Sequence, residues 1–487
     1  MNLDYTIIIG LEIHVQLATQ TKLFCGCGLS FGEPANTRTC PVCLGLPGTL
    51  PVMNRAAVEA GVLTGLALNC EISRFTKWDR KSYYYPDLPK NYQISQYDLP
   101  LAEHGYIEIP LDDGTTKKIR IRRAHLEEDA GKNTHTLGNF SAVDLNRAGT
   151  PLLEIVTEPD LNSATEVRLL AQQLQRIVRY LGTSEADMQK GQMRFEPNVN
   201  LHITRDGQLF KTPITEVKNL NSFRALERSI AYEVSRQLDA FITTGRTMRL
   251  GNKSTYGWDD ANQVTVLQRE KEEAHDYRYF PDPDLVPVVI SDPWRSQIAA
   301  RLGELPLAMQ QRFVADYGLT DYDAQVLTAD RATAVFFDAA VRCGADPKRL
   351  CNLLTQTGLK LAKARQTTVD ALGISAERLA ALANLADAGQ VSATAATFIF
   401  EAMTECDDEP VKIAEQKNLL QTSDAGHIES LVDAVLSEHA NAVQDARSNP
   451  KKAKKARGFL MGQVIQKSKG QANPKQVADI LNRKLTD

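Results

Sequence analysis

The sequence predicts an α+β protein in which a mixed-sheet region precedes a helical region. Up to about residue 295, Val, Ile, Tyr and Thr alternate with turns that contain Pro and Gly. Beyond that point Ala, Leu, Gln and charged residues dominate. Strand patterns followed by helix patterns are typical of the α+β class or of separate domains. The chain has 487 residues, which is enough for about three domains.

Three regions are therefore predicted along the chain. Residues 1–295 form a mixed-sheet domain with helices, residues 296–411 form a helical domain, and residues 412–487 form a smaller helical domain. The boundary between the two helical regions rests on a polar stretch that ends at Pro410.

The composition is that of an ordinary globular protein. Hydrophobic residues make up 43% and charged residues 24% of a chain with net charge −4. These values exclude disordered and collagen-like chains, and they exclude a uniformly basic nucleic-acid coat. We expect no membrane span, because no run of about 18 apolar residues occurs. The N-terminus lacks the basic segment of a secretory signal, and eight scattered or clustered cysteines favour a reducing cytoplasm.

Two hairpins are predicted in the first region. Alternating apolar residues lead to Ile109 and resume at Ile119, on either side of Asp113-Gly114. A second alternation reverses at Asp206-Gly207. Asp-Gly is a strong turn signal, because glycine accepts a positive φ without steric cost.

Two helices are predicted to interrupt these strands. Ser163 and Glu166 have the spacing of a capping box, and apolar residues at helical spacing follow as far as Gly182. A second amphipathic helix begins near Ser222. After residue 295 the predicted helices are shorter.

A quartet of cysteines gives the strongest local signal for a metal. It consists of Cys25, Cys27, Cys40 and Cys43. Two close pairs separated by a loop can supply four thiolates to a tetrahedral zinc ion, as in a zinc ribbon over residues 25–43. Because no open coordination position is implied, the site is expected to be structural. Four reduced, buried cysteines without a metal are the alternative.

Carboxylates and histidines form a second group of candidates. Glu12 and His14 share one face of an alternating strand, and Glu154 lies inside an apolar strand-like run. Residues 125–132 add three consecutive acids, including Glu128. Carboxylates with an imidazole suit Mg²⁺ and phosphate better than they suit a zinc cage. A solvent-facing strand and a salt-bridged acidic loop are equally compatible with these residues alone.

A basic and aromatic segment spans residues 78–96. Lys81 and Lys90 could neutralise phosphates, and Tyr85 and its neighbours could stack on a base or a sugar. An aromatic surface loop is the alternative. The last 37 residues carry ten Lys or Arg and two Asp, so they could attract a phosphate backbone, although a solvated lysine-rich face explains them as well.

The chain lacks familiar nucleotide-binding motifs. Neither a P-loop nor a Gly-x-Gly-x-x-Gly fingerprint occurs, and no amidase-type nucleophile motif is present. Any nucleotide site must therefore be of another design.

Taken together, these segments resemble one family, the B subunits of the glutamyl/aspartyl-tRNA amidotransferases (the GatB family). The matching segments are GLEIHVQL at 10–17, DRKSYYYPDLPKNYQISQ at 79–96, HLEEDAGK at 125–132, VDLNRAGTPL at 143–152, EVKNLNSF at 216–223, DYRYFPDPD at 276–284 and KSKGQANP at 467–474. The resemblance extends over nearly the whole chain.

The resemblance implies an ATP- and Mg²⁺-dependent ligase that works in a heterotrimeric complex. Members convert Glu-tRNA(Gln) or Asp-tRNA(Asn) to the amide through an acyl phosphate. Ammonia comes from a glutaminase subunit of the amidase kind, and a small third subunit holds the two larger ones together. Residues 1–295 would then be the catalytic cradle, and the helical regions with the basic tail would grip the tRNA.

The resemblance also suggests roles for individual residues. The expected magnesium ligands or their near neighbours, which would also be catalytic, are Glu12, His14, Glu128 and Glu154. The expected phosphate, nucleotide or substrate contacts are Lys81 (also catalytic), Tyr85, Lys90, Arg194, Glu196 and Asn198. Many relatives have Cys-Asp-Ala where this chain has Phe195-Glu196-Pro197, which leaves the role of Glu196 open.

A second function from another class fits part of the sequence. A zinc-ribbon RNA-binding scaffold without catalysis would explain both the cysteines and the basic tail. Clustered carboxylates argue against it, because they would repel RNA. A free-standing nucleotide-dependent ligase is disfavoured, because the chain has no ammonia source of its own.

Overall fold

The computed structural model describes residues 3–29, 31–134, 139–249, 252–271, 277–421, 425–448, 452–468 and 472–486. Internal contacts divide the chain into two compact units, Met1–Leu305 and Pro306–Asp487. The first unit contains the sheets and the second is helical, so the predicted α+β class is confirmed. The finer division of the helical part at residue 411, and the roles assigned to each region, stay predictions.

Strands and helices make up the first unit. The strands are β1 (Asp4–Gln16), β2 (Glu71–Ile72), β3 (Phe75–Thr76), β4 (Asp79–Ser82), β5 (Tyr92–Ser95), β6 (Ala102–Pro110), β7 (Thr116–Glu128), β8 (Lys132–Thr134), β9 (Ala142–Asp144), β10 (Pro151–Thr157), β11 (Met193–Arg205), β12 (Gln208–Lys211), β13 (Thr215–Lys218), β14 (Lys253–Asp259), β15 (Val264–Lys271), β16 (Phe280–Pro281) and β17 (Val288–Val289). Among the described residues, the helices of this unit are α1 (Arg55–Ala67), α2 (Ala164–Tyr180), α3 (Phe223–Thr244) and α4 (Asp292–Ala299).

Ten of the described strands form one mixed sheet. Its order is β15-β14-β13-β11-β1-β10-β7-β6-β2, with β12 paired to β11. Neighbours are antiparallel apart from the parallel pair β13 and β14. A smaller sheet, β16-β4-β5, carries the basic and aromatic segment.

An irregularity interrupts the central pairing of β7 with β10. Val156 lies opposite Arg123, but the next residue, Thr157, lies opposite Ile121. Arg122 therefore has no opposite residue on β10, which is the pattern of a β-bulge. The alternation of buried apolar residues along β7 shifts by one position here. Ile119 and Ile121 are buried before the bulge, and Ala124 and Leu126 are buried after it.

The two faces of the large sheet differ in chemistry. On β1 the odd-numbered residues Leu11, Ile13 and Val15 are at most 1% exposed and belong to the main core. The helices α1, α2 and α3 pack on the sheet strands and cover this apolar face. The even-numbered residues Glu12 and His14 lie on the other face.

The predicted hairpins and helices are confirmed. β6 and β7 pair across the Asp113-Gly114 turn, and β11 pairs with β12 across Asp206-Gly207. Ser163 caps α2 by accepting a hydrogen bond from the Glu166 backbone N–H. The Glu166 carboxylate accepts from the backbone N–H of Asn162 at 2.7 Å, one residue before the position that a capping box predicts.

The second unit is built from short amphipathic helices. They are α5 (Pro306–Tyr317), α6 (Asp321–Leu327), α7 (Arg331–Arg342), α8 (Pro347–Leu353), α9 (Leu359–Ala364), α10 (Ala376–Asp387), α11 (Ala393–Met403), α12 (Pro410–Gln416), α13 (Ala425–Glu438), α14 (Ala440–Ser448), α15 (Ala453–Lys467) and α16 (Pro474–Thr486). A π-helical turn, Leu354–Gly358, joins α8 to α9. The last four helices share a separate cluster of buried apolar residues. None of the described helices has the length and apolarity needed to cross a bilayer.

Candidate active site

Four neighbouring strands bring distant polar residues together on the open face of the sheet. His14 on β1 lies opposite Arg194 on β11 and opposite Glu154 on β10, which in turn lies opposite His125 on β7. Directly opposed residues of antiparallel strands point to the same face. These side chains therefore form a row across the sheet, and Glu12 lies beside it.

The centre of this row is an acid–histidine cluster made of Glu12, His14, His125, Glu127 and Glu154. His14 Nε2 lies 3.5 Å from Glu127 Oε1, 3.5 Å from Glu154 Oε2 and 3.7 Å from Glu12 Oε1. His125 Nε2 lies 3.7 Å from Glu154 Oε2. The sequence-predicted residues Glu12, His14 and Glu154 are therefore brought together by the fold.

The cluster is suited to a divalent cation. Its ligand atoms form two groups within 4.8 Å, one from Glu12, His14 and Glu154 and one from His125, Glu127 and Glu154. Within the described part of the chain, the Nδ1 atoms of both histidines and Oε2 of Glu127 are buried without a hydrogen-bond partner. Buried polar atoms normally have partners, so these orphans fit a site that is completed by an ion or a substrate.

Burial and mutual charge shift the titration of the cluster. Burial opposes charge on His14, but a hydrogen bond to Glu154 and the charges of Glu154 and Glu127 raise its pKa to about 9. Burial, with the neighbouring charge of Glu154, raises the pKa of Glu127 to about 7. Burial lowers the pKa of His125 to about 4. Such displaced values are typical of functional sites.

Lys81 on β4 supplies a cation to the cluster. Its Nζ lies 5.2 Å from the centre of the Tyr277 ring. Burial alone would lower the pKa of Lys81, but the charges of Glu127, Tyr279 and Glu154 outweigh it and raise the pKa. Lys81 therefore stays charged beside the carboxylates, as a phosphate-binding group requires.

Glu128 is not brought into the cluster. It is adjacent to Glu127 but points the other way, where its Oε1 pairs with Lys90 Nζ and accepts from the backbone N–H of Ile94 at 3.0 Å. Lys90 is thus occupied by Glu128, at the wall of a cavity of about 180 Å³ that also reaches the cysteines.

The remaining predicted contacts are Arg194, Glu196, Asn198 and Tyr85. Arg194 Nη2 donates to Asp129 Oδ2 at 2.8 Å, and Lys218 Nζ donates to Glu196 Oε2 at 2.6 Å. Asn198 lies opposite Gly10, further along the same sheet face. Tyr85 is 58% exposed, and its ring makes an edge-on contact with Tyr83.

The cysteine quartet is assembled as the spacing predicts. The four Sγ atoms lie within 4.8 Å of one another, which is compatible with tetrahedral thiolate ligation. A hydrogen bond from Cys25 lowers the pKa of Cys43 to about 4 and raises that of Cys25. The buried Lys22 Nζ lies 3.5 Å from Cys43 Sγ, so a cation accompanies the thiolate.

Sequence reasoning missed two members of the cluster, His125 and Glu127. Both lie within the acidic segment 125–132, but the motif alone favours Glu128 as its ligand. The signal that could have found them is Leu126. An apolar residue between two polar ones, which packs into the core, places both neighbours on the open face.

Comparison with known proteins fits this geometry. The family description "GatB/GatE catalytic domain" matches residues 7–296, which contain every member of the acid–histidine cluster. This chain belongs to the GatB family. A second description, "GatB domain", matches residues 335–485.

Curated relatives of the GatB family match this chain over its full length. A protein of Carboxydothermus hydrogenoformans, named as the B subunit of aspartyl/glutamyl-tRNA(Asn/Gln) amidotransferase, is 45% identical, covering 99% of both chains. Identically named proteins of Treponema denticola and Rhodopirellula baltica are 42% and 45% identical, covering 100% and 98% of this chain and 99% and 96% of their own. The resemblance inferred from the motifs is thus confirmed.

Proposed function

We propose that this chain is the member of a tRNA-dependent amidotransferase complex that activates and amidates the misacylated residue. The substrates are Glu-tRNA(Gln), Asp-tRNA(Asn) or both, and the products are Gln-tRNA(Gln) and Asn-tRNA(Asn). The main support is the acid–histidine cluster with Lys81 beside it, on a sheet face that the family description covers. Carboxylates and a buried lysine suit magnesium-bound phosphates, and an RNA-binding scaffold does not need them.

The reaction has two steps. The side-chain carboxylate of the misacylated residue attacks the γ-phosphorus of ATP, ADP leaves, and an acyl phosphate forms. Ammonia then attacks the acyl carbon, inorganic phosphate leaves, and the nitrogen loses a proton. A carboxylate is a poor acyl donor, so the first step supplies the leaving group. Both steps depend on placing the reactants in line and on balancing phosphate charge.

The cluster would hold Mg²⁺ through Glu12, His14 and Glu154, with Glu127 taking the place expected of Glu128. Bound there, the ion would neutralise charge on the phosphates. Lys81 places a further positive charge at the same position. Glu128, held by Lys90 and the Ile94 N–H, would fix the end of β7.

Arg194, Glu196 and Asn198 extend the same face and are proposed to contact ATP or substrate. Tyr85, in the loop between β4 and β5, is proposed to contact the substrate. The cysteine quartet is proposed to bind structural zinc. We also place the protein in the cytoplasm, since its eight cysteines are unpaired in the structure.

The proposed partners are a glutaminase subunit of the amidase kind, the small third subunit of the heterotrimer, and the misacylated tRNA. Part of the basic tail is already engaged, because Lys467, Arg483 and Lys484 pair with acids of α13. Lys454 and Lys455 on α15 are exposed, while Lys451 and Lys469 lie outside the described residues.

An amide-transfer assay tests the function. The chain is co-expressed with the glutaminase and the small subunit, and the complex is supplied with ATP, Mg²⁺, glutamine and each misacylated tRNA separately. ATP-dependent conversion of one or both tRNAs is expected. If the complex binds tRNA but converts neither, the chain is a scaffold and the proposal is wrong.

A charge-reversal variant tests the tRNA-binding role of the tail. Lys454→Glu combined with Lys455→Glu should weaken tRNA binding and reduce its salt dependence, because fewer counterions are released. Unchanged affinity at physiological salt would contradict this role. Lys475→Glu on α16 reverses one charge instead of two and serves as the comparison.

A further inference from the structure

A short segment of the chain lies along β4, the middle strand of the smaller sheet. Residues 277–284, which we call the strap, run antiparallel to β4 and pair with it over two residues as β16. The backbone N–H of Ser82 donates to the carbonyl oxygen of Tyr277 at 2.8 Å. At the other end of β4, the backbone N–H of Asp282 donates to the carbonyl oxygen of Trp78 at 2.8 Å. Backbone contacts therefore attach the strap along the whole of β4.

The strap brings two tyrosine rings to Lys81. The centre of the Tyr277 ring lies 5.2 Å from Lys81 Nζ, which is within the range of a cation–π interaction. Tyr279 contacts Tyr277 edge-on, with ring centres 6.2 Å apart. Its other neighbour is Tyr97, on which it stacks with ring centres 4.2 Å apart. The surroundings of the Lys81 ammonium group therefore depend on where the strap lies.

Arg80 holds the strap from the other side of the smaller sheet. Successive residues of a strand point to opposite faces, so Arg80 lies on the face opposite Lys81. Its Nε donates to Asp282 Oδ2 at 2.7 Å, and its Nη2 donates to Asp284 Oδ2 at 2.9 Å. The guanidinium carbon lies 4.2 Å from the centre of the Tyr92 ring. Because Asp282 is only 4% exposed, loss of Arg80 would leave a buried carboxylate unpaired.

We propose that Arg80 is a positioning residue, which fixes the strap on β4 through Asp282 and thereby holds Tyr277 against Lys81. The inference rests on the proposed function, in which Lys81 binds the phosphates. An ammonium group that is already in place needs no reordering as charge develops on the transferred phosphate. The planar fork of Arg80 reaches two carboxylates of the strap at once, and the single ammonium group of a lysine would not replace it fully.

The chemical reactivity of Lys81 gives a test that needs no substrate. The assembled complex is treated with a limiting amount of acetic anhydride, and acetylation of Lys81 is followed by mass spectrometry. In Arg80→Met, Lys81 should be acetylated at least about 5-fold faster than in wild type, because a loosened strap opens the site locally. Arg80→Lys should give an intermediate rate. If Arg80→Met does not fold, Arg80→Lys carries the test. An unchanged rate in a folded variant would overturn the inference.

Arg74→Met is the matched control. Arg74 forms an exposed ion pair with Asp292, at 3.0 Å, in the same unit of the chain. Its loss also removes an arginine–aspartate contact, but this contact does not involve the strap. Arg74→Met should therefore leave the acetylation of Lys81 at the wild-type rate. A rate raised as much as in Arg80→Met would overturn the inference, since loss of any such ion pair would then expose Lys81.

Removal of the two tyrosines tests whether Arg80 acts through the strap. The double variant Tyr277→Ala with Tyr279→Ala should itself raise the acetylation rate of Lys81. Adding Arg80→Met to this variant should change the rate by less than about 2-fold, because residues that act through one another are not additive. An equal increase in both backgrounds would show that Arg80 acts on Lys81 by another route, and would overturn the inference.

Kinetics separate positioning from a purely structural role. Arg80→Met should lower kcat for amide transfer at least about 10-fold, while KM for ATP rises less than about 3-fold. Its Kd for tRNA should equal that of wild type, and Arg80→Lys should recover part of kcat. A folded Arg80→Met complex with wild-type kcat would overturn the inference. A wild-type complex without amide transfer would instead overturn the proposed function, and acetylation of Lys81 would still decide whether Arg80 fixes the strap.

Discussion

Two candidate metal sites in the described part of the chain are assembled in different ways. The cysteine quartet comes from residues 25–43, so its ligands are neighbours in sequence. The acid–histidine cluster comes from β1, β7 and β10, which are distant in sequence and meet only through strand pairing. The first depends on local turns and the second on sheet register. A change in register should therefore abolish the cluster while leaving the quartet in place.

The largest effect is expected when the cluster loses its shared carboxylate. Glu154 belongs to both groups of candidate ligands, so Glu154→Gln should lower amide transfer by at least about 100-fold. tRNA binding and assembly should stay near wild type. Glu158→Gln, which removes an exposed ion pair with Arg122, is the control. A Glu154→Gln enzyme of normal rate would show that the cluster is structural.

Substitutions of Glu127 and Glu128 test which of these two carboxylates belongs to the cluster. Glu127→Gln should lower amide transfer and raise the Mg²⁺ concentration needed for half-maximal rate, because its carboxylate faces His14. Glu128→Gln should lower the rate less and leave the Mg²⁺ requirement near wild type. The reverse order of effects would return Glu128 to the ligand role that the motif alone suggests.

Loss of one cysteine of the quartet should lower the stability of the protein more than the rate of amide transfer. Cys40→Ser removes one of four sulfur ligands, so the purified complex should lose zinc, and its melting temperature should fall by several degrees. Metal analysis and thermal unfolding measure both. Cys343→Ser, at an exposed cysteine of the helical unit, should change neither. Wild-type protein that is folded and free of zinc would remove the basis for this prediction.

Lys22 offers a smaller perturbation of the quartet. Four thiolates around a divalent ion are negatively charged overall, and Lys22 is fully buried beside Cys43. Lys22→Met should weaken zinc affinity by roughly 10–100-fold, measured by competition with a chelator. Lys22→Arg should recover part of the loss, and Lys190→Met at an exposed site should have no effect. If Lys22→Met bound zinc as tightly as wild type does, the role of Lys22 would be limited to packing.

The smallest effect concerns the pH dependence of the metal-free protein. The pKa of His14 is raised from 6.5 to about 9 in the folded protein. The stability that protonation of His14 contributes is therefore fully present below pH 6.5, and it is lost as the pH rises to about 9. Between pH 7.5 and 9 the free energy of unfolding should fall by up to about 1.4 kcal/mol per pH unit. The His14→Gln variant should lack this slope. A wild-type protein with flat stability over this range would contradict the protonated state of His14.

Local features of both sites were predictable from sequence. The cysteine spacing predicts the quartet, and alternation around Glu12 and His14 predicts the polar face of β1. The choice between Glu127 and Glu128 was ambiguous, because alternation continued from Ile119 and Ile121 assigns Glu127 to the apolar face, whereas the apolar Leu126 assigns it to the open face. The bulge at Arg122 decides for the second assignment. The sequence of β7 alone does not show that this bulge forms, because the bulge depends on pairing with β10.

That bulge separates the sequence pattern of β7 from the direction of its side chains. Five residues before Glu127, Arg122 has no opposite residue on β10. Removing Arg122 would leave Glu127 opposite Leu152 and would make the alternation of buried apolar residues from Ile119 to Leu126 continuous. The extra residue in β7 thus disguises, in the sequence, which of two identical side chains lies on the face of the cluster.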